Sequence, residues 1–390
     1  MNPILNLSNK KKKIVIGLMS GTSMDGIDAA VVDINGSGIN SKIKPLGFVC
    51  KKYSAKLKER LLNVSEKTRV DENSELNVLV AKEFLKAAKQ CAKKFATDLS
   101  NVDLIGSHGQ TIYHNPPSRK IGIPSTVQLG DIDVISHNTK VTTVGDFRSK
   151  DIAAGGEGAP IMPYVDYILF NKQSPVLVQN IGGIANVTVV TRKIEEMIAF
   201  DTGPGNMLMD NMVRLYTEGN KLYDKNGATA RTGKINHKLL ETLLSDEYYR
   251  LKPPKSTGAE KFGSIMAKKL YKQVISNKIR YEDMLRTLLQ LTVETIAQAY
   301  EKFIIPKFHP QKVILSGGGA KNLFMLSELK NRLGDMDILT SDDFGIPSDA
   351  KEAIGMAVLA NEILLGNKTN IPSCTGAKVK VPLGKISYSF

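Results

Sequence analysis

Three short stretches of this 390-residue chain combine glycine with groups able to do chemistry. The first is Asp201-Thr202-Gly203-Pro204-Gly205-Asn206, where a carboxylate closes an apolar, strand-like stretch and a rigid glycine turn follows. A carboxylate fixed at a strand end can reach a proton within hydrogen-bond distance, which is what a general base needs. The same residue could equally cap the turn, because Asp and Gly are turn residues. The second stretch is Gly21-Thr22-Ser23-Met24-Asp25-Gly26. Glycines admit a ligand close to the backbone, and successive N–H groups with hydroxyls cradle phosphate oxygens. Asp25 would repel a phosphate, so its presence makes sense with Mg2+ between the two, since hard cations take oxygen ligands and keep their waters. A plain hairpin turn is the competing reading. The third stretch, Ser316-Gly317-Gly318-Gly319-Ala320-Lys321-Asn322, lies between a buried-type strand and a helix. Three glycines there permit close approach of a flat or phosphorylated ligand beside the positive end of the helix, or simply a tight strand–helix turn.

The elements that must hold these turns follow from periodicity. KIVIGLMSGTSMDGIDAAVVDI (13–34) is strand, glycine turn, strand, and reads as a hairpin. Residues 1–13 read as a frayed tail. A long helix is expected near 75–98, a short strand at 104–107, another at 126–129, and a loop over 145–160. PVLVQNIGGIANVTVVT (175–191) repeats the strand–glycine turn–strand opening. Helices are expected at 238–244, 263–276, 281–303, 323–333 and 352–365, with a buried-type strand at 312–319 that ends in three glycines. Two such openings imply two similar α/β lobes. We place them at 1–172 and 173–390, with the final helix, near 350–366, packing back on the first lobe.

Composition narrows the function classes. The net charge is +14, but the lysines are dispersed over amphipathic segments, tryptophan is absent, and no basic run is interleaved with aromatics. Nucleic acid is therefore not expected as a partner, although the positive field suits an anionic nucleotide. No run approaches the length of a membrane span, and the lysines at 10–13 lead into too short an apolar stretch for a signal peptide. The 3 cysteines are far apart and odd in number, which argues against a disulfide framework and for a reducing, cytoplasmic setting. The 5 histidines show no transition-metal spacing. Neither GxxxxGK[ST] nor a strand–helix GxGxxG occurs, so a P-loop and a dinucleotide fold are disfavoured.

Taken together, two acidic glycine turns heading two halves and a late glycine turn resemble the actin, hexokinase and Hsp70 superfamily. Within it, GLMSGTSMDGID (17–28), GSHGQT (106–111), DFRSKDIAAGGEGAP (146–160), NIGGIANVT (180–188), FDTGPGN (200–206), LSGGGAKN (315–322) and PSDAKEAIGMAVLA (347–360) resemble the anhydro-N-acetylmuramic acid kinase family, in the family's order. The resemblance spans nearly the whole chain. It implies an α/β fold of two ribonuclease H-like domains flanking a nucleotide cleft. It also implies an ATP-dependent kinase that opens the 1,6-anhydro ring with water and phosphorylates O6, giving N-acetylmuramic acid 6-phosphate and ADP. Asp201 then becomes the base. Gly21, Thr22, Ser23, Asp25 and Gly26 form the first phosphate turn; Gly182, Gly183 and Asn186, with Gly203, Gly205 and Asn206, form the second; Gly317, Gly318, Gly319 and Asn322 border the nucleotide.

On the sugar side the resemblance points to Asp146, Arg148 and Asp151. Arg148 suits the lactyl carboxylate, with an ion pair to Asp151 as the alternative. His108 is expected either to touch the sugar or to satisfy a core hydrogen bond. Asp25 and Glu352 are candidates for water-mediated Mg2+ contact. Glu157 stands where many members have glutamine, and Asp166 near where many have histidine. A homodimer is implied by the family. A different sugar, or a sensor role on the same fold, is the alternative function.

Overall fold

The protein is described here from a computed structural model covering residues 3–21, 24–64, 67–95 and 98–389. Two sheets organise the chain. The first contains β1 (Lys12–Ser20), β2 (Gly26–Asn35), β3 (Lys42–Lys52), β4 (Leu104–Asn115), β5 (Ser125–Leu129) and β6 (Thr143–Gly145). β1 pairs antiparallel with β2 and parallel with β4; β2 continues antiparallel to β3, and β4 continues parallel to β6. β5 folds back antiparallel on the far end of β4.

The second sheet contains β7 (Val176–Ile181), β8 (Ile184–Val190), β9 (Ile198–Pro204), β10 (Lys312–Ser316) and β11 (Asp337–Thr340). β7, β8 and β9 form an antiparallel meander, while β10 and β11 follow parallel on the other side of β7. The paths β3-β2-β1-β4-β6 and β9-β8-β7-β10-β11 are the same topology used twice. This is the duplicated α/β, actin/hexokinase-like fold that the sequence leads one to expect.

β12 (Lys385–Ser387) pairs antiparallel with β6 and so returns to the first sheet. The chain accordingly divides into one unit ending at Leu169 and resuming from Gly345, and a second from Phe170 to Phe344. The sequence reading sent only the final helix back to the first half. The whole segment from Gly345 belongs there, because β12 takes a ladder position that nothing else fills.

Burial explains why the elements form. β1 is buried along nearly its whole length, as a strand covered on both faces must be. One face carries the helix Val70–Lys94, whose Leu76, Val80, Phe84, Ala87, Ala88 and Cys91 recur at helical spacing and are buried. The other carries the helix Lys351–Ile363, which is apolar almost all round and buried from Ala353 to Ala360. Its backbone lies so close to the sheet that a Cβ on Gly17 would sit 1.8 Å from the Ala353 carbonyl oxygen, and one on Gly106 2.2 Å from that of Met356. In the second unit the helix Tyr281–Phe303 supplies Leu285, Leu288, Leu289 and Ile296 to the core. Its buried Tyr300 donates a 2.8 Å hydrogen bond to Gln179 on β7.

Local expectations need three corrections. The supposed tail contains a helix at Pro3–Asn9, and β1 starts at Lys12. Asp103 anchors that start by accepting from Lys10 at 2.7 Å and from the Ile14 N–H at 2.8 Å. The supposed loop at 145–160 contains the helical turn Ser149–Ala153. The strand foreseen at 104–107 runs on to Asn115 because β5 pairs with its extension. Among the described residues no helix is long and apolar enough to cross a membrane.

Gly17→Val should lower unfolding stability by about 3 kcal/mol, since overpacking against a rigid backbone cannot relax. Gly21→Ala, where a Cβ meets nothing within 4 Å, should change it by less than about 0.5 kcal/mol. Urea midpoints of the two variants check this.

Candidate active site

The second unit gathers three glycine turns at one end of its sheet. Gly205, Asn206 and Met207 donate backbone hydrogen bonds of 2.9, 2.8 and 3.1 Å to the carbonyls of Gly183, Gly182 and Gly183. The turn after β9 is thereby locked onto the turn between β7 and β8. The contact requires glycine, because a Cβ on Gly205 would stand 2.3 Å from the Gly182 oxygen. The third turn arrives from β10. Gly317 has φ +80° and sits where a Cβ would be 2.5 Å from Asn180 Oδ1; one on Gly319 would meet Ile181 Cγ2 at 2.3 Å. Gly318 lies beside the Asn206 amide. Asn322 has a defined local role: its Oδ1 accepts from the Met325 N–H at 3.1 Å and caps the helix Leu323–Leu333.

Asp201 stands on β9 next to this cluster and is half-buried. Asn180, Asn186 and Asp201 are cross-strand neighbours on β7, β8 and β9. Directly opposed residues share a face, so these three polar side chains form one row across the sheet. The Asp201 N–H donates to the Lys255 carbonyl at 3.1 Å, and its carbonyl accepts from the Tyr248 hydroxyl at 2.7 Å. Its Oδ2 accepts from the Thr257 N–H at 2.8 Å. Burial holds the Tyr248 hydroxyl well above its ordinary pKa, with the Asp201 charge adding to it, so it stays a donor. A backbone donor fixes the rotation of the carboxylate, and an oxygen acceptor oriented in this way can take up a proton at a set position.

The first unit carries the other candidates. Thr22 and Ser23 lie outside the described residues. Around them, the Ser20 hydroxyl donates to the Gly26 carbonyl at 2.7 Å, and Gln110 on β4 donates to the Gly21 carbonyl at 3.2 Å. Gln110 is fully buried and also accepts from Ser20 at 2.7 Å, so it moors both sides of the turn. Gly26 is needed for close passage, a Cβ there being 2.6 Å from the Lys51 carbonyl oxygen. Asp25 forms an ion pair with Lys58.

Of the sugar-side candidates, His108 and Asp151 turn out to be framework. His108 is 2% exposed, its Nδ1 is 2.9 Å from the Gly109 carbonyl, and its Nε2 accepts from Arg148 Nε at 3.0 Å. That pattern fixes a neutral ring with the proton on Nδ1, and burial followed by the Arg148 charge depresses its pKa to about 3. Both ring nitrogens thus have protein partners, and the histidine orients Arg148. Arg148 also donates to the Gly158 carbonyl at 2.8 Å. Asp151 is fully buried; its oxygens accept from the Gly158 N–H, Asn370 and Thr375, each at 2.8 Å. It holds the glycine-rich loop closed. Asp146, at φ +53°, accepts from the Ser149 hydroxyl at 2.6 Å and pairs with Lys385 at 2.6 Å. Burial opposes its ionisation, but these bonds outweigh it and keep the carboxyl below the usual range.

The two departures from the expected pattern also find partners. Glu157 accepts from the Ser118 hydroxyl at 2.5 Å and from its N–H at 3.2 Å. Asp166 pairs with Lys351 at 2.7 Å, both 3% exposed. Glu352, next along that helix, is pushed up in pKa by burial, against the pull of Lys351 and Arg148 and with help from Asp166. Asp28 on β2 is raised to about 6, first by burial, with Cys50 opposing and Glu352 and Asp349 adding. Among the described residues no group of three or more His, Cys, Asp or Glu forms a metal cage. The Asp28, Asp349 and Glu352 carboxylates are near enough for their charges to raise the Asp28 pKa, and oxygen groups of this kind suit a hard cation that keeps its waters.

Sequence reasoning singled out neither Asp28 nor Asn180, Gln110, Tyr248, Lys255 or Thr257. A signal existed for Asp28, an acidic residue inside the apolar run of β2, and for Lys255, set between two prolines and Ser-Thr-Gly. The contacts of Gln110 and Tyr248 are long-range and leave no local pattern.

The sequence profile of the anhydro-N-acetylmuramic acid kinase family matches residues 13–389. A relative of that name from Caldanaerobacter subterraneus is 42% identical over 395 residues, covering 99% of this chain and 100% of the relative. One from Clostridioides difficile is 41% identical, covering 95% and 97%. One from Bacillus thuringiensis is 42% identical, covering 96% and 99%.

His114 is also held low, at about 4, by burial and then by Arg148 and Arg119. The Cε1 proton resonances of His108 and His114 should therefore stay fixed from pH 5 to 9 in an NMR titration. Below about pH 6.5 the unfolded chain takes up protons at both sites that the folded chain refuses, so each costs stability as the pH falls toward its folded value. Asp151→Asn, which turns an NH2 toward existing donors, should cost about 2–4 kcal/mol in urea unfolding.

Proposed function

The chain belongs to the anhydro-N-acetylmuramic acid kinase family, and from that premise we propose that Asp201 is the general base of its ATP-dependent reaction. The chain is a sugar kinase. Water adds to C1 of the anhydro sugar, and its proton passes to the Asp201 carboxylate. The C1–O6 bond breaks, O6 bonds to the γ-phosphorus of ATP, and the bond from that phosphorus to the β-phosphate oxygen breaks. The products are N-acetylmuramic acid 6-phosphate and ADP. The observation that carries the assignment is the hydrogen bond from the Thr257 N–H to Asp201 Oδ2, within β9, which runs on to Pro204 beyond the expected strand end and leads into the interlocked glycine turns.

Each group then has a task. A carboxylate beside C1 also steadies the positive charge that builds as the acetal opens. The turns at Gly182–Gly183, Gly203–Asn206 and Gly317–Gly319 offer backbone to the nucleotide without side chains in the way, and Asn186 and Asn180 offer amides from the same row. The turn at Gly21–Gly26, with Thr22 and Ser23, takes the phosphates. Glu352, Asp28 and Asp25 would hold Mg2+ through its waters, and the ion would supply charge neutralisation for the transferring group. Arg148, aimed by His108, receives the lactyl carboxylate. A cytoplasmic site of action follows from the need for ATP, and a homodimer is the assembly that the family suggests. The sensor alternative leaves the oriented Asp201 without a task.

ADP release should occur with the anhydro sugar and not with glucose or without sugar. Asp201→Asn should lower kcat about a thousandfold with unchanged ATP affinity, the span typical of a lost general base. Normal turnover by this variant would remove Asp201 from the mechanism. Asp28→Asn should raise the Mg2+ concentration giving half-maximal rate by about tenfold, since one carboxylate of a water-mediated site is lost; an unchanged Mg2+ requirement would exclude Asp28.

A further inference from the structure

We propose that Lys255 is a positioning residue for Asp201, holding the backbone of that residue from one side and keeping its carboxylate ionised through a caged, buried ammonium. The inference rests on Asp201 being the base.

Lys255 is 7% exposed. Its Nζ donates to the Tyr248 carbonyl at 3.1 Å and lies 4.6, 5.0 and 5.8 Å from the ring centroids of Tyr248, Phe303 and Phe200. Three aromatic faces and a carbonyl are an unusual setting for a cation, attractive by their quadrupoles yet poor replacements for water. The backbone of the same residue accepts the Asp201 N–H, Tyr248 donates its hydroxyl to the Asp201 carbonyl, and Thr257, two residues on, donates to the carboxylate. One short segment thus grips Asp201 at its N–H, its carbonyl and its side chain. Phe200, the residue before Asp201, is itself a wall of the cage.

An apolar side chain of similar length would fill this space at less cost in desolvation. What the lysine adds is charge, and that charge is felt at Asp201. Burial, and then Lys302 at the end of the helix Tyr281–Phe303, lower the Lys255 pKa to about 8 against the pull of Asp201 on β9. The facing groups are therefore Asp201, Lys302 and Tyr248, with Glu260 and Tyr249 acting on Tyr248 in turn. Attraction is mutual: an ammonium that Asp201 helps to keep protonated favours the ionised form of Asp201. A carboxylate that must accept a proton from water has to be ionised first, so the lysine widens the pH range over which the base is ready. Above about pH 8 the ammonium loses its proton and this support disappears.

The test measures kcat/KM for the sugar from pH 5 to 9.5 in the full-length enzyme, with ATP KM and thermal unfolding as controls. Asp201→Asn is assayed first. Its expected inactivity secures the reading on which the inference rests, whereas normal turnover sinks that reading and the inference with it. Lys255→Met should then move the acidic limb up by about one pH unit, the lower end of the effect of a neighbouring opposite charge, with kcat/KM at pH values below that limb about tenfold down and ATP KM within twofold. Lys255→Arg, charged at every pH used, should leave the acidic limb in place. Tyr248→Phe keeps the ring over Nζ but deletes the hydroxyl, so it should lower kcat with the limb unmoved. An inactive Asp201→Asn beside an unshifted acidic limb in Lys255→Met overturns the role of the lysine. Should Lys255→Met fail to fold, a folded Lys255→Arg whose acidic limb moves up by about one pH unit although the charge is kept overturns it equally.

Discussion

The end of the second unit that carries the glycine turns depends on backbone meeting backbone with no side chain between. Gly205 and Asn206 donate to the carbonyls of Gly183 and Gly182 at 2.9 and 2.8 Å, and a Cβ at Gly205 would be 2.3 Å from the Gly182 oxygen. That contact joins the end of β9 to the turn between β7 and β8, and the Gly317 turn closes against Asn180 beside it. Phosphate recognition by N–H groups needs bare backbone, and bare backbone in turn allows such close packing. The same glycines therefore serve the assembly of the site and the access of its ligand.

The first unit uses the same principle in its core. Gly17 and Gly106 lie on adjacent central strands, under the helix Lys351–Ile363. The close seat of that helix brings Lys351 to Asp166 and Glu352 into the field of Arg148 and Asp28. A helix that is apolar nearly all round thus delivers two charged residues from its first turn to a polar region at the edge of the core. Their charges are not left bare: Lys351 is paired, and Glu352 is pushed toward its neutral form by burial.

Both units place buried polar or charged groups behind the residues proposed to meet ligands. Neutral His108 accepts from Arg148 and directs its guanidinium. Asp151, with three donors on its oxygens, ties the loop that carries Gly158. Lys255 stands behind Asp201 in an aromatic cage. In each case a buried group costs desolvation, and the return is a partner with fewer orientations open to it.

The sequence by itself determined the two hairpins, the long helices and the doubled α/β fold, because alternation, helical periodicity and glycine turns are local signals. It also marked Asp201 and the glycine stretches, and the family. Only the tertiary structure decided that everything from Gly345 joins the first unit, since a three-residue strand such as β12 has no periodicity to read and exists through its partner β6. Tertiary contacts likewise decided that His108 and Asp151 are framework, and that Tyr248, Lys255 and Thr257 surround Asp201 across 47 to 56 residues of chain. The spacing of residues along a chain records which elements form. The partner each polar group finds depends on how those elements pack, and that is written in no single stretch.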